Sequence, residues 1–348
     1  MTQEIGSRHI MTSGEAIAHP SVVLAPETHP SAPIPVQGKS LGSNIRVPLG
    51  ETGFSIFPVI LGGGEFGWNV DQEHSNAILD RFFDLGGNMV HTADSFAAGR
   101  SELIIGQWLA SRAIRDDVIL ATRVGGHPDN PGLGSTNLVR AVEASLHRLG
   151  TTHIDVLYLD GTDTRAAAED TLATAEWLVE TGKVRAIGAH GFSAERLVES
   201  RILASAGYPR ITVIDVPYNM VRRDEFNANL RLVAGAQGLA VTPSHPLEHG
   251  FLSGAYRSRA RLQPGARGDQ LRTNLNRRGT RLLRALDAIA AELGVPDAAI
   301  AIAWLRAQRL IAAPIANVYA TAHVDELLQG VGVSLGRAHL AELNRALN

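Results

Sequence analysis

Eight short, almost wholly apolar runs recur along the chain, at residues 55–61, 88–91, 118–122, 154–160, 186–189, 211–216, 240–243 and 312–316. Stretches with helical periodicity lie between them. A strand that is apolar on both faces needs cover on both faces. A parallel sheet wrapped by helices provides it. Eight such units close into a (β/α)8 TIM barrel, and that is the predicted fold class. An open doubly wound sheet is the alternative. Against it, no GxGxxG follows the first run; the glycines of "GGGEFG" have a different spacing. The segment "EHSNAILDRFFDLG" predicts a helix with Ala77, Ile78, Phe82 and Leu85 on one face and a glycine stop. In "STNLVRAVEASLHRLG" the predicted N-cap is Ser135 or Thr136, with Gly150 past the end.

Residues 1–45 are rich in Pro, Ser, His and Thr without periodicity and are expected to form a mobile extension. Residues 46–348 are expected to form one barrel domain with a lid-like insertion at about 251–295. The first part of that insertion, "YRSRARLQPGARGDQLRTNLNRRGTR", is dense in Arg. It reads either as a solvated loop or as a lid over the barrel mouth that holds an anionic ligand group.

Composition narrows the function classes. The absence of cysteine excludes disulfides, thiolate metal sites and Cys nucleophiles. A net charge of −3 and the lack of a basic stripe with interleaved aromatics argue against nucleic acid. No apolar run reaches the length of a membrane span, and no basic segment followed by an apolar core opens the chain. A cytoplasmic protein acting on a small-molecule substrate is expected, with a homo-oligomer compatible.

From about Pro48 to Leu347 the chain carries "TAD…GRSELIIGQWL", "ASLHRLGTTHIDVLYL", "GKVRAIGAHGFSAERL", "IDVPYNMVRRD", "GLAVTPSHPLEHGFLSGAY" and "AIAWLRAQRLIAAPI". In that order these motifs resemble the aldo-keto reductase family, closest to its bacterial branch of sugar-nucleotide and aryl-alcohol reductases. The resemblance implies a barrel that moves hydride from NADPH to a carbonyl. A Tyr hydroxyl then protonates the alkoxide, a Lys and an Asp lower the Tyr pKa, and a His orients the carbonyl. Every one of those positions differs here. His91 stands for the Asp, Phe96 for the Tyr, Arg123 for the Lys and Asp160 for the His. A phenyl ring has no proton to give. The family's cofactor positions differ too. His190 and Gly191 replace its Ser-Asn pair, Asp215 its Gln, and Ser244, followed by His245, its stacking aromatic. Asn317 and Tyr319 replace its Gly and basic residue, and Leu327 the Asn near adenine. The usual NADPH grip is largely missing, so no cofactor is favoured.

In a barrel the carboxyl ends of the strands converge on one mouth. His91, Arg123, Asp160, His190, Asp215 and His245 would meet there, with Glu65 after the first strand. His91 and Asp160 are the expected acid–base pair, and Arg123 the group that binds an anionic oxygen. Glu65, Phe96, His190, Asp215, Ser244 and His245 are expected to contact substrate. The favoured activity is non-redox proton transfer on a biosynthetic intermediate of sugar-nucleotide or polyketide type: dehydration, elimination, isomerisation, epimerisation or ring closure. One alternative is an NAD(P)H-dependent reductase with an atypical proton donor; the other is a non-catalytic binding protein. Single residues also have bland readings. His245 would shape the turn before Pro246, and Asp215 would cap a loop backbone. Asp155, Glu102 and Arg100 read as structural, and His127, His147, His153 and His249 as surface or loop residues. His91, His190, His245, Asp160 and Asp215 are acceptable zinc, manganese or iron ligands. No compact ligand motif occurs and Arg123 would repel a cation, so no metal is assigned.

Overall fold

The computed structural model describes residues 45–259, 262 and 265–347. The expected mobile extension, apart from Ile45, lies outside the described residues. A hairpin of β1 (Val47–Pro48) and β2 (Ser55–Ile56) precedes the main sheet. Eight parallel strands follow: β3 (Ile60–Gly62), β4 (Met89–Ala93), β5 (Ile119–Val124), β6 (Ile154–Asp160), β7 (Val184–His190), β8 (Ile211–Pro217), β9 (Ala240–Ser244) and β10 (Ile315–Asn317). They neighbour one another in the order β10-β3-β4-β5-β6-β7-β8-β9. The ring closes just before β10. There the Val241 N–H donates to the Leu310 carbonyl at 3.1 Å, and the Ala312 N–H donates to the Val241 carbonyl at 2.9 Å.

The helices α1 (Gln72–Asp84), α2 (Arg100–Arg112), α3 (Ser135–Leu149), α4 (Ala168–Glu180), α5 (Ala194–Ser205) and α6 (Ala228–Gln237) alternate with β3 to β9. Three helices, α7 (Ala266–Asn274), α8 (Arg277–Leu293) and α9 (Asp297–Arg306), separate β9 from β10; α10 (Thr321–Gly332) and α11 (Arg337–Leu347) end the chain. This is the predicted (β/α)8 barrel. No single described helix is long and apolar enough to cross a membrane; α8 and α9 together reach that length but bend by 95° and are lined with core residues.

Strand alternation sends one set of side chains inward. Ile60, Met89, Ala121, Val156, Tyr158, Val213 and Ala240 form a buried interior cluster with Leu49 and Ile56 of the hairpin, which plugs the end opposite the mouth. The plug sits tightly. A Cβ on Gly50, whose φ is +55°, would stand 3.0 Å from the Thr212 carbonyl oxygen. Higher in the barrel the Tyr158 hydroxyl bonds Thr242 Oγ1 at 3.1 Å. Gly188 makes room for its ring, which a Cβ there would approach to 2.8 Å. Continuing the same alternation, the next inward positions are His91, Arg123, Asp160, His190, Asp215 and Ser244. The filled interior is thus a pedestal for the polar layer above it.

Several expectations are corrected. The run 55–61 is two strands, because Pro58 lacks the N–H that a continuous ladder needs. Ala77 is exposed; α1 buries Ser75, Ile78, Leu79 and Phe82 instead. The N-cap of α3 is Gly134, with Ser135 already helical. The later part of the insertion is barrel structure. Leu282, Leu283, Leu286 and Ile289 of α8 belong to the core, and α8 packs on α11 as a barrel helix. The residues read as structural do serve that way. Glu102 takes the Thr122 hydroxyl and Arg148, both at 2.6 Å. Asp155 takes Arg115, Arg185 and the Leu120 N–H, each at 2.9 Å. The Arg100 Nε donates to the Gly67 carbonyl.

Candidate active site

The polar layer is organised by two pairings between neighbouring strands. His190 and Asp215 end β7 and β8 in register with each other. His190 Nδ1 lies 2.8 Å from Asp215 Oδ2. Asp215 is buried, and His190 keeps a partly exposed edge. The other ring nitrogen, Nε2, makes no hydrogen bond among the described residues. Asp160, at the end of β6, faces Arg123 of β5, with Nε to Oδ2 at 3.4 Å. Its other oxygen accepts from the Thr162 N–H at 3.1 Å and the Thr162 hydroxyl at 2.7 Å.

Of the expected acid–base pair, Asp160 is held by Arg123 and Thr162. Asp215 holds an imidazole and does not cap a loop. His91 itself is 3 % exposed, and neither ring nitrogen has a hydrogen-bond partner among the described residues. Its ring packs edge-on against Tyr158, centroids 5.3 Å apart, and Phe96, 6.2 Å apart. Phe96 also stacks under the Arg123 guanidinium at 5.5 Å. It is therefore a wall for two polar groups and carries no proton.

Electrostatics separate the two buried groups. Burial is the main cause that pushes the His91 imidazole down to about 4; Asp215 opposes this, while Arg123 and His190 add to it. His91 is neutral near pH 7. For Asp215 burial pushes upward. The His190 hydrogen bond and the fields of His190 and His91, with help from the Ser244 hydroxyl, overcome it and bring the carboxyl to about 2. Asp215 is thus a fixed anion. Its Oδ1 and the Ser244 Oγ beside it are buried without a well-aligned partner.

Beside this layer lies a cavity of about 570 Å³, between the loop after β9 and the loop and helix after β10. Glu65 and His245 line it, as their strand-end positions suggested; Phe96, His190, Asp215 and Ser244 do not. His249, read as a loop residue, also lines it and stacks on His245 with centroids 4.9 Å apart. The loop that carries them is strained: His245, Glu248 and His249 have φ of 56°, 45° and 57°. Left-handed backbone costs about 1–2 kcal/mol per non-glycine residue. Asn219 and Arg222 hold it in place. Asn219 Nδ2 donates to the His245 carbonyl at 2.8 Å and to Glu248 Oε2 at 2.7 Å. Arg222 grips both Glu248 oxygens at 2.9 and 3.0 Å. Sequence reading passed over Asn219, Arg222 and Glu248. Across the cavity the Tyr319 hydroxyl donates to Glu65 Oε1 at 2.6 Å and bonds Arg267, linking the loop after β3, the loop after β10 and α7. Of the Arg-rich insertion, Arg267 reaches the cavity, while Arg257 pins the segment to Asp287 and Asp297. No group of three or more His, Asp or Glu able to hold a metal ion occurs among the described residues.

Comparison with known proteins fits this geometry. The model of the aldo/keto reductase family matches residues 58–348. The chain is 30% identical to norsolorinic acid reductase stcV of Emericella nidulans, covering 90% of this chain and 84% of that one. It is 28% identical to a putative aryl-alcohol dehydrogenase of Saccharomyces cerevisiae, covering 87% and 86%. A probable voltage-gated potassium channel subunit beta of Arabidopsis thaliana is similar at 27%, over 82% and 90%.

Proposed function

Because the chain belongs to the aldo/keto reductase family, we propose that it is an oxidoreductase interconverting a small carbonyl compound and its alcohol, with the His190–Asp215 dyad in place of the family's phenol. The observation that carries this is the 2.8 Å bond between His190 Nδ1 and Asp215 Oδ2. The fixed carboxylate holds the proton on Nδ1 and leaves Nε2 to work. As imidazolium, Nε2 gives a proton to a forming alkoxide; as neutral imidazole, it takes one from an alcohol. Asp215 stabilises the charged ring throughout and stays ionised. The Arg123 guanidinium, steadied by Asp160, polarises the carbonyl oxygen and stabilises the charge that develops on it. Neutral His91 closes the floor beneath.

The residues fit a nicotinamide dinucleotide in kind. The cavity has the size of a cofactor site. Tyr319 offers an aromatic face, and Arg267 a cation for a diphosphate. When bound, such a cofactor supplies or removes hydride. The relatives named as a reductase and a dehydrogenase support this reading.

A second reading has an observation of its own. His190 and Asp215 stand where the family resemblance places the carboxamide holders, yet they bind each other. The same dyad then performs dehydration, elimination, isomerisation, epimerisation or ring closure without hydride. One assay separates the two. Purified protein is given a panel of aromatic and aliphatic aldehydes and ketones with reduced dinucleotide, following absorbance at 340 nm and product together. One dinucleotide oxidised per alcohol formed is the expected result. Substrate converted with no change at 340 nm would overturn the oxidoreductase reading in favour of the second.

A further inference from the structure

Arg123 is held on three sides. Asp94 fixes its backbone: the Asp94 N–H donates to the Arg123 carbonyl at 2.9 Å, and Asp94 Oδ2 accepts from the Gly125 N–H at 2.9 Å. The guanidinium carbon stands over the Phe96 ring, 5.5 Å from its centroid. Its Nε faces Asp160 at 3.4 Å. Nη1 and Nη2 donate to no described residue, and the side chain keeps 16 % of its surface exposed. A planar fork of N–H groups is therefore presented by the polar layer on a fixed support. The carboxylates around it are engaged. Asp160 serves Arg123 and Thr162, and Asp215 holds His190. Asp160 also stands between the two working groups, in register with His190 on β7 and in contact with Arg123 on β5.

We propose that the carbonyl compound is a 2-oxo acid, reduced to its 2-hydroxy acid, with the Arg123 fork as the group that selects it. The proposal deepens the oxidoreductase reading above and rests on it. In a flat 2-oxo acid the carbonyl oxygen and one carboxylate oxygen lie side by side on one edge. That edge matches two N–H groups of a guanidinium, one for each oxygen. Gripped in this way, the carbonyl oxygen lies on Arg123, which polarises it, and within the layer that His190 ends. The carbonyl carbon gains hydride from the reduced dinucleotide, the C=O π pair moves onto oxygen, and that oxygen takes the proton of His190 Nε2. The 2-hydroxy acid, the oxidised dinucleotide and a neutral imidazole result. A simple aldehyde or ketone meets only half of the fork. An ester keeps both oxygens but loses the charge that strengthens the hydrogen bonds. A guanidinium N–H left unmet in a largely buried site is a loss that the enzyme reads as selectivity.

The test compares pyruvate with methyl pyruvate, and phenylglyoxylate with its methyl ester, on the intact protein with reduced dinucleotide at 340 nm. Each acid is expected to show a kcat/KM about tenfold or more above that of its ester. Arg123→Lys keeps the charge and loses the fork, so it should cut that ratio about fivefold or more. Oxalate presents the same flat pair of oxygens and cannot be reduced. Calorimetry without any dinucleotide should show it binding the wild type about tenfold more tightly than Arg123→Lys. Esters turned over as well as the acids would overturn the proposal and leave the oxidoreductase reading standing. A ratio and an oxalate affinity that Arg123→Lys leaves unchanged would overturn the role of the fork. Oxalate bound through Arg123, with no carbonyl compound reduced, would overturn the oxidoreductase reading and the oxo acid as its substrate.

Discussion

Asp215→Asn is expected to lower kcat by about 10²- to 10⁴-fold while the circular dichroism spectrum stays that of the wild type. The side chain keeps its size, so the barrel end is not repacked. The proton logic fails in either amide orientation. With its carbonyl toward His190, Asn keeps the Nδ1–H tautomer but brings no charge to stabilise the imidazolium. With its NH₂ toward His190, it turns Nδ1 into the acceptor and puts the ring proton on Nε2, which then cannot take one. KM should change far less than kcat, because Asp215 touches the imidazole and acts through it. A variant within threefold of wild-type kcat would mean that the 2.8 Å contact is only a packing feature.

The second large effect is on stability, at His91. Its imidazole is buried without a hydrogen-bond partner among the described residues and titrates near 4 in the folded protein. An unfolded chain returns it to its ordinary value of 6.5. Between those values the unfolded state binds the proton and the native state does not, so stability falls as pH drops from 6.5 to 4 and then levels off. The shift corresponds to about 3 kcal/mol in total. His91→Phe removes the titrating group and places an apolar ring against Phe96 and Tyr158. Replacing an unpaired buried polar group by an apolar one of similar shape costs little at neutral pH. Urea unfolding at pH 7 and pH 4.5 should therefore show the variant losing about 2 to 3 kcal/mol less than the wild type between the two. Equal losses in both proteins would show that His91 is solvated or paired in solution.

The sequence made the barrel legible because parallel strands covered on both faces read as unbroken apolar runs. It misjudged the run 55–61, where Pro58 turns one apolar stretch into a hairpin strand and a barrel strand. Strand-end placement also made the polar layer legible, since the inward alternation that puts Met89 and Val213 in the core puts His91 and Asp215 one step above it. Partners were a different matter. Whether Asp160 meets His91 or Arg123 depends on register and side-chain reach between neighbouring strands, and one sequence does not state either. The His190–Asp215 pair was hidden for the same reason. The loop after β9 was missed because its form depends on three left-handed residues, clamped from the loop after β8. One local signal was available. Asn219 accepts from the Val221 and Arg222 N–H groups at 2.9 and 2.8 Å, the turn that an Asn in "YNMVRR" favours.

The most direct measurement is turnover by His190→Gln in the 340 nm assay, with the wild type beside it and circular dichroism as the fold control. If an imidazole has replaced the phenol as proton carrier, this folded variant loses about 10²- to 10⁴-fold in kcat. If it turns over at the wild-type rate, the proton travels by another route and the dyad is not the catalytic centre.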